Sequence, residues 1–559
     1  MKLQNAIAAA MMMSAPFLAS AESYSRMDNP QDPVVVVYKV IGSEDGQASS
    51  AASYNWKTIR VDAGELDETI KRLEQDATVG NIQISGKVQP IDPVNEELAP
   101  SRVRASSVHQ GVYNDPFLSD QVVWEEYEES TPGKLSIALG QQVFDTSKAM
   151  RVGVIDGGFV ETNEVTYESG ANMVLGDRSS DFRELATCGF RHGTQAAHLI
   201  AAYANDGIGM AGIVKSDIVA ARVFEPIDPS NCDTESDFSA NSTDVADAVL
   251  YLSGEPVSGV SETLAEPVDV INMSLSGGGA CPEFFQDAIN VARSKGVIVV
   301  GAAGNTGSTG ADASGRFPAN CEGVVTVGSN DFDGERSNFS NYGEDVDIYA
   351  TGRGLFTVRD PGVYTFVTGT SFAAPIVAAH AALIKAVEPE ADDRRIARLL
   401  TATKKPLVLR DGGVDTAGRG IMNSLALAQA VAGDTFVAEP LSHALINEDR
   451  PNAAAYTQDA ANLDTCNLYD VDTTKLNVDR PAGSEFRVLE VADGSDFTVA
   501  NGTVIATSQG SRVLLKGIDP SANDYGLSVC GVRTGTCDSS IPINLNAAEA
   551  FTQTFCPAT

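Results

Sequence analysis

Between residues 114 and 435 the chain alternates two kinds of segment, and this alternation restricts its fold more than any other feature. "MRVGVIDGG" (150–158), "SDIVAARVF" (216–224), "VDVINMSLS" (268–276), "GVIVVGAAGN" (296–305) and "GVVTVGS" (323–329) are short β-branched runs, all but the second ending in Gly, Ser or Asn. Between them, "STDVADAVLYLSG" (242–254) and "PEFFQDAINVARSKG" (282–296) carry apolar residues at helical spacing. Buried strands separated by amphipathic helices predict an α/β fold, a mainly parallel sheet with helices on both faces. Ligands of such sheets bind beyond the carboxyl ends of the strands. Asp156, Ser274 and Asn305 all fall at those ends.

The flanks read differently. Lys2, an apolar run to Leu18 and then Ala19-Ser20-Ala21 predict a signal peptide, residues 1–21. The run is short for a membrane anchor, and no other apolar, charge-free window of that length is expected. The mature protein is therefore expected to be soluble and secreted, extracellular or periplasmic. Residues 22–110 read as a small α+β unit. In it, "PVVVVYKVIG" is a strand, Leu66, Ile70, Leu73 and Ala77 share one helical face, and "NIQISGKVQPI" is a further strand. A linker with little periodicity ends this part. Residues 441–559 alternate apolar and polar positions between Asp-Gly and Asn-Gly turns, which predicts a small β-rich domain.

With 39 Lys and Arg against 75 Asp and Glu, the net charge is −36, which argues against nucleic acid as a partner. Cys188, Cys232, Cys281 and Cys321 fall in the middle of the chain, and Cys466, Cys530, Cys537 and Cys556 near its end. No Cys-x-x-Cys and no His-Glu-x-x-His occurs, so a zinc peptidase is not indicated. Disulfides within each module fit export, with the pairing open and buried free thiols as the alternative.

Acyl transfer by serine needs a hydroxyl, a base, a carboxylate to orient the base, and donors for the oxyanion. Each candidate also has a plain reading. In "GTSFAAPIVAA" (369–379), Ser371 or Thr370 sits where a helix cap belongs, with Pro375 expected in a tolerant first turn. His192, one of five histidines, opens "HGTQAAHLIAA" at an expected helix start, and would otherwise be an ordinary surface or core histidine. Asp156 and Asn305 are each consistent with simple turn residues.

Together these blocks resemble the subtilisin-like serine proteases, in the family's order Asp, His, Ser. "VIDGG", "HGTQAAHLIAA" and "GTSFAAPIVAA" carry the likeness, and "NDGIGMAGI", "INMSLSGG", "GAAGN" and "GRGIMNSLALAQA" extend it over about residues 114–435. The resemblance implies Ser371 as nucleophile, His192 as general base and then acid, and Asp156 as its orienting carboxylate. It implies Asn305 with the Ser371 backbone N–H as oxyanion donors. Ser274, Leu275, Ser276 and Gly277 are implied to pair with an extended peptide. Ala302, Ala303 and Gly304 are implied to flank a pocket for large uncharged side chains.

The expected function is that of a secreted, monomeric endopeptidase acting on polypeptides, with residues 22–110 as a propeptide that inhibits it until cleaved. The other reading is a catalytically silent peptide-binding or adhesion protein on the same scaffold. No cofactor is expected for the chemistry; structural calcium is common in the family, but no liganding stretch stands out. Gly157 departs from the usual Ser or Thr beside the aspartate. Ala196 and His198 depart from the usual Val and Gly, and His198 is expected to crowd its helix or titrate near neutrality.

Overall fold

In a computed structural model, the described residues are 34–40, most of 55–91 and 113–431, and strand backbone within 468–554. The signal peptide, most of the linker and the disulfides expected of the C-terminal cysteines lie outside them. The chain divides into two units, Met1–Ala48 with Asn55–Ser85, and Ser49–Tyr54 with Gly86–Thr559.

In the smaller unit β1 (Val34–Val40) lies between β2 (Trp56–Val61) and β3 (Val79–Ile84), antiparallel to both. Helix α1 (Leu66–Glu74) buries Leu73 with Val36 and Val61. The helix ends at Glu74 with three of the four expected face residues in it, and Ala77 lies outside the described residues. The stretch 81–91, read as one strand, is two: β3 ends at Ile84, and β4 (Lys87–Pro90) belongs to the larger unit.

The larger unit continues through α2 (Ile137–Gln141), β5 (Met150–Asp156), β6 (Tyr167–Asn172), α3 (His192–Ala201) and β7 (Ser216–Arg222). Next come β8 (Glu225–Pro226), β9 (Phe238–Asn241), α4 (Ser242–Leu252), β10 (Val270–Met273), β11 (Leu275–Gly278) and α5 (Glu283–Ser294). Then follow β12 (Ile298–Ala302), β13 (Arg316–Phe317), β14 (Val324–Asn330), β15 (Ile348–Thr351) and the hairpin β16 (Leu355–Asp360) with β17 (Val363–Val367). Helices α6 (Thr370–Val387) and α7 (Asp393–Ala402), strands β18 (Lys405–Pro406) and β19 (Gly420–Ile421), and α8 (Ser424–Val431) complete it.

The main sheet has the order β18-β19-β15-β14-β12-β10-β5-β7-β6, parallel except for β18 at its edge. This is the α/β arrangement the alternation predicts. Its inner strands are buried on both faces, which is why Val and Ile run through them without alternation. Helix α6 is a second long apolar stretch, where none was expected beyond the N-terminal run. It is long and apolar enough to cross a bilayer, yet 89% of that window is buried inside the fold. Its small residues let it pack deep in the core.

Two disulfides, Cys188–Cys232 and Cys281–Cys321, join the middle cysteines. In the C-terminal part, Leu468–Asp472 pairs with Arg512–Lys516 and Thr552–Thr554 in one antiparallel sheet. Ser484–Ala492 and Asn523–Gly531 are the inner strands of another.

Candidate active site

The order β12-β10-β5 sets three strand ends side by side, and chain connectivity does the rest. Asp156 is the last residue of β5, His192 the first of α3, and Asn305 follows β12. Ser371 is the second residue of α6. All of Asp156, His192 and Ser371 are fully buried.

The imidazole Nδ1 of His192 lies 2.9 Å from both carboxylate oxygens of Asp156. The carboxylate accepts this bond, which puts the ring proton on Nδ1 and leaves a lone pair on Nε2. Phe190 stacks at 6.1 Å on the ring, and Phe372, next to Ser371, lies 5.0 Å from it. Gly157 donates its N–H to Asp156 Oδ1 at 2.8 Å. A Cβ at Gly157 would sit 2.8 Å from the Phe190 ring and 3.0 Å from Phe224 Cβ, which accounts for glycine there in place of Ser or Thr.

Neither Thr370 nor Ser371 caps α6. The N-cap position is Gly369, and no side-chain cap bond forms. Pro375 lies in the second turn, not the first. It has no N–H for the carbonyl four residues back, that of Ser371. The Ser274 hydroxyl donates to that carbonyl at 2.7 Å, and Asn272 Nδ2 in turn donates to Ser274 Oγ at 3.0 Å.

Asn305 is oriented through its oxygen. Oδ1 accepts from the Thr370 N–H at 3.0 Å and from Thr370 Oγ1 at 2.9 Å. A Cβ placed on Gly369 would meet Ser371 Oγ at 2.9 Å and Asn305 Nδ2 at 3.0 Å, so these two groups flank one small space. The Ser371 N–H belongs to the first turn of α6, where N–H groups lack intrahelical acceptors and the dipole favours negative charge.

Leu275, Ser276 and Gly277 pair antiparallel with Pro90, Gln89 and Val88 of β4. On its other side β4 pairs with β9, Val88 opposite Ala240. Val88 and Ile91 are buried, Ile91 within the same apolar cluster as Ala302 and Ala303. The Ile91 carbonyl oxygen is 3.4 Å from Ser371 Oγ. Gly304 has a left-handed φ of +99°, and a Cβ there would meet Asn341 Nδ2 at 2.7 Å. Gly277 has its Cβ position filled by the Phe317 ring, 2.3 Å away.

Sequence reasoning missed the parts played by Thr370 and Asn272, which stand inside quoted blocks, and the pairing of β4 with β11, although β4 lies in a stretch read as strand. Thr370 meets Asn305 65 positions away, and Asn272, though its bond to Ser274 is local, matters only because Ser274 goes on to reach Ser371, 97 positions away. The expectation for His198 is corrected. Its Nδ1 bonds the Thr194 carbonyl at 2.7 Å and its Nε2 bonds Thr162 Oγ1 at 2.8 Å. Burial pushes its pKa down to about 4, so it stays neutral at neutral pH. Among the described residues no three His, Cys, Asp or Glu side chains are grouped to hold a metal ion.

The Subtilase family model matches residues 147–424. Subtilisin DY of Bacillus licheniformis is 30% identical over 281 residues, half of this chain and 91% of that protein. An extracellular protease of Xanthomonas campestris pv. campestris is 36% identical over 248 residues, 43% of this chain and 40% of the relative. An extracellular basic protease of Dichelobacter nodosus is 32% identical over 264 residues. The chain spans about 40% of the length of these last two relatives. A solved protease from Pseudoalteromonas arctica is 31% identical with a TM-score of 0.48, covering 57% of this chain and 99% of its own.

Proposed function

This chain belongs to the subtilase family, and on that premise we propose that it is a secreted serine endopeptidase with Asp156, His192 and Ser371 as its triad. The observation that carries the reading is the shared space beside Gly369. Ser371 Oγ and Asn305 Nδ2 both border it, and a peptide carbonyl, that of Ile91, stands 3.4 Å from the hydroxyl oxygen.

Ser371 Oγ attacks the scissile carbonyl carbon while His192 Nε2 takes the hydroxyl proton. Asp156, bonded to Nδ1, stabilises the imidazolium. The carbonyl oxygen becomes an oxyanion, held by Asn305 Nδ2–H and the Ser371 N–H. When the C–N bond breaks, the imidazolium gives its proton to the leaving amine and an acyl-serine remains. Water, deprotonated by His192, then attacks the ester and releases the acid and the serine. None of these steps requires a cofactor.

The extracellular relatives and the N-terminal signal pattern support secretion. Residues 86–91 support self-processing: they run through the cleft as the acyl side of a substrate, with Ile91 next to the bond to be cut. The region upstream would then act as an intramolecular inhibitor, and the first cut falls between Ile91 and Asp92. Ile91 also supports a pocket that takes uncharged side chains.

The test is casein hydrolysis by purified protein. Wild type should cleave and react with serine-directed phosphonyl reagents, and Ser371→Ala should do neither while keeping its fold. A wild-type protein inert to both would leave only a peptide-binding role.

A further inference from the structure

We propose that Glu184 and Arg222 form a buried charge pair that positions the Asp156–His192 couple from behind, both acting as positioning residues. The inference rests on the peptidase reading above and concerns side chains outside the triad.

The chain leaves Asp156 through a turn that touches the base helix directly. The Gly157 carbonyl accepts from the Gly193 N–H at 2.7 Å, and the Gly158 carbonyl accepts from Thr194 Oγ1 at 2.8 Å. Gly158 has a φ of +70°, and a Cβ there would meet the Phe190 carbonyl at 2.7 Å and the Arg191 nitrogen at 2.8 Å. Carboxylate and base are therefore held by one short piece of backbone. The Gly158 N–H, between those two carbonyls, donates to Glu184 Oε2 at 3.2 Å. Glu184 is fastened to the same turn a second time, its own N–H donating to the Phe159 carbonyl at 2.9 Å.

Arg222 comes from the neighbouring strand. It is the register partner of Asp156, and the next N–H, that of Val223, donates to the Asp156 carbonyl at 2.9 Å. Its guanidinium lies 3.4 Å from Glu184 Oε1, with the two side chains 8% and 0% exposed. Nε donates to the Phe224 carbonyl and Nη1 to that of Arg183.

A buried ion pair is costly to desolvate, and an apolar pair of similar size often stabilises a fold as well or better. This pair is explained by what it does locally. Glu184 supplies a side-chain acceptor for the buried Gly158 amide. Arg222 balances a second carboxylate close behind Asp156, so the couple feels a neutral pair instead of a lone charge.

Other charged or titratable groups around the couple are Tyr167 on β6, which burial pushes above its usual range, and Glu161, which acts on Tyr167. Arg191, adjacent to His192, is paired with Asp360 of the hairpin at 2.6 Å. Asp181, bonded to Arg183 at 2.8 Å and lowered in pKa chiefly by that bond and in small part by Arg222, faces the pair from the solvent side, and Ser371 and the neutral His198 complete the set. None of them contacts Glu184 through a bond described above.

The pair makes a signed prediction. Glu184→Gln keeps an oxygen for the Gly158 N–H but leaves Arg222 as an unbalanced cation, which disfavours imidazolium. The acidic limb of kcat/KM should move to lower pH by about half a unit, and kcat should fall about ten-fold with KM nearly unchanged. Arg222→Gln leaves an unbalanced carboxylate and should move the limb to higher pH. The double variant should return it toward wild type, and Arg222→Lys should lower kcat with the limb in place. If Arg222→Gln does not fold, the limb of Glu184→Gln decides alone. Limbs identical to wild type, or both moving in one direction, overturn the proposal. A wild type that cleaves nothing instead overturns the peptidase reading.

Discussion

The hydroxyl of Ser274 donates to the carbonyl of Ser371 at 2.7 Å, in the place of the helical N–H that Pro375 lacks. A residue at the end of the central sheet thus completes the first turn of the helix that carries Ser371, the proposed nucleophile. Ser274→Ala would leave that buried carbonyl without its donor, at a cost of about 1–3 kcal/mol. A urea melt should show the loss, with a smaller effect on kcat; an unchanged midpoint would mean that the helix end relaxes.

Gly369 is needed for space. Its φ of 162° is ordinary extended backbone, so a substitution there meets no conformational strain. Gly369→Ala should instead fill the gap between Ser371 Oγ and Asn305 Nδ2. Activity should drop at least as far as in Asn305→Leu, for which about a hundred- to thousand-fold loss in kcat is expected. Thermal unfolding should stay near wild type in both. A Gly369→Ala enzyme with wild-type kcat would show that the oxyanion sits elsewhere.

Self-processing should generate a new N-terminus at Asp92 as the first product. Mass spectrometry of freshly expressed protein, compared with Ser371→Ala, reads this directly. Val88→Asp and Ile91→Asp place charges at buried positions of the strand in the cleft and should slow the cut. A first cut at any other bond would mean that β4 is not read as substrate.

His198 and His380 should make the fold sensitive to acid. Burial lowers both to about 4 from an ordinary 6.5. Between those values the unfolded chain takes up protons that the folded chain does not. Their contribution is whole above pH 6.5 and is lost as the pH falls toward 4, about 3 kcal/mol for each group at the end of that window. Urea midpoints measured across this range should fall less steeply in His198→Gln and His380→Gln than in wild type. Equal slopes would assign the acid sensitivity to carboxylates.

Much of the fold was legible because it depends on near neighbours in the chain. The β-branched runs became β5, β7, β10, β12 and β14, and the two amphipathic stretches became α4 and α5. Helix α6 was harder to place. Its run of Ala, Val and Ile has no polar face, so periodicity could not say what it packs against. The catalytic candidates were legible as motifs, yet each had an equally local alternative, and for Ser371 the cap reading fails only because Gly369 occupies that position.

By itself the sequence determined which segments are strands, which residue types end them, and the order of three chemical blocks, since these follow from spacing and side-chain preference along the backbone. Tertiary structure alone decided which groups meet: Ser274 with Ser371, Thr370 with Asn305, Glu184 with Gly158, and β4 along β11. The bond between Ser274 and Ser371 alone spans 97 positions. Such meetings depend on where the sheet and helices pack in space, and no local pattern encodes that.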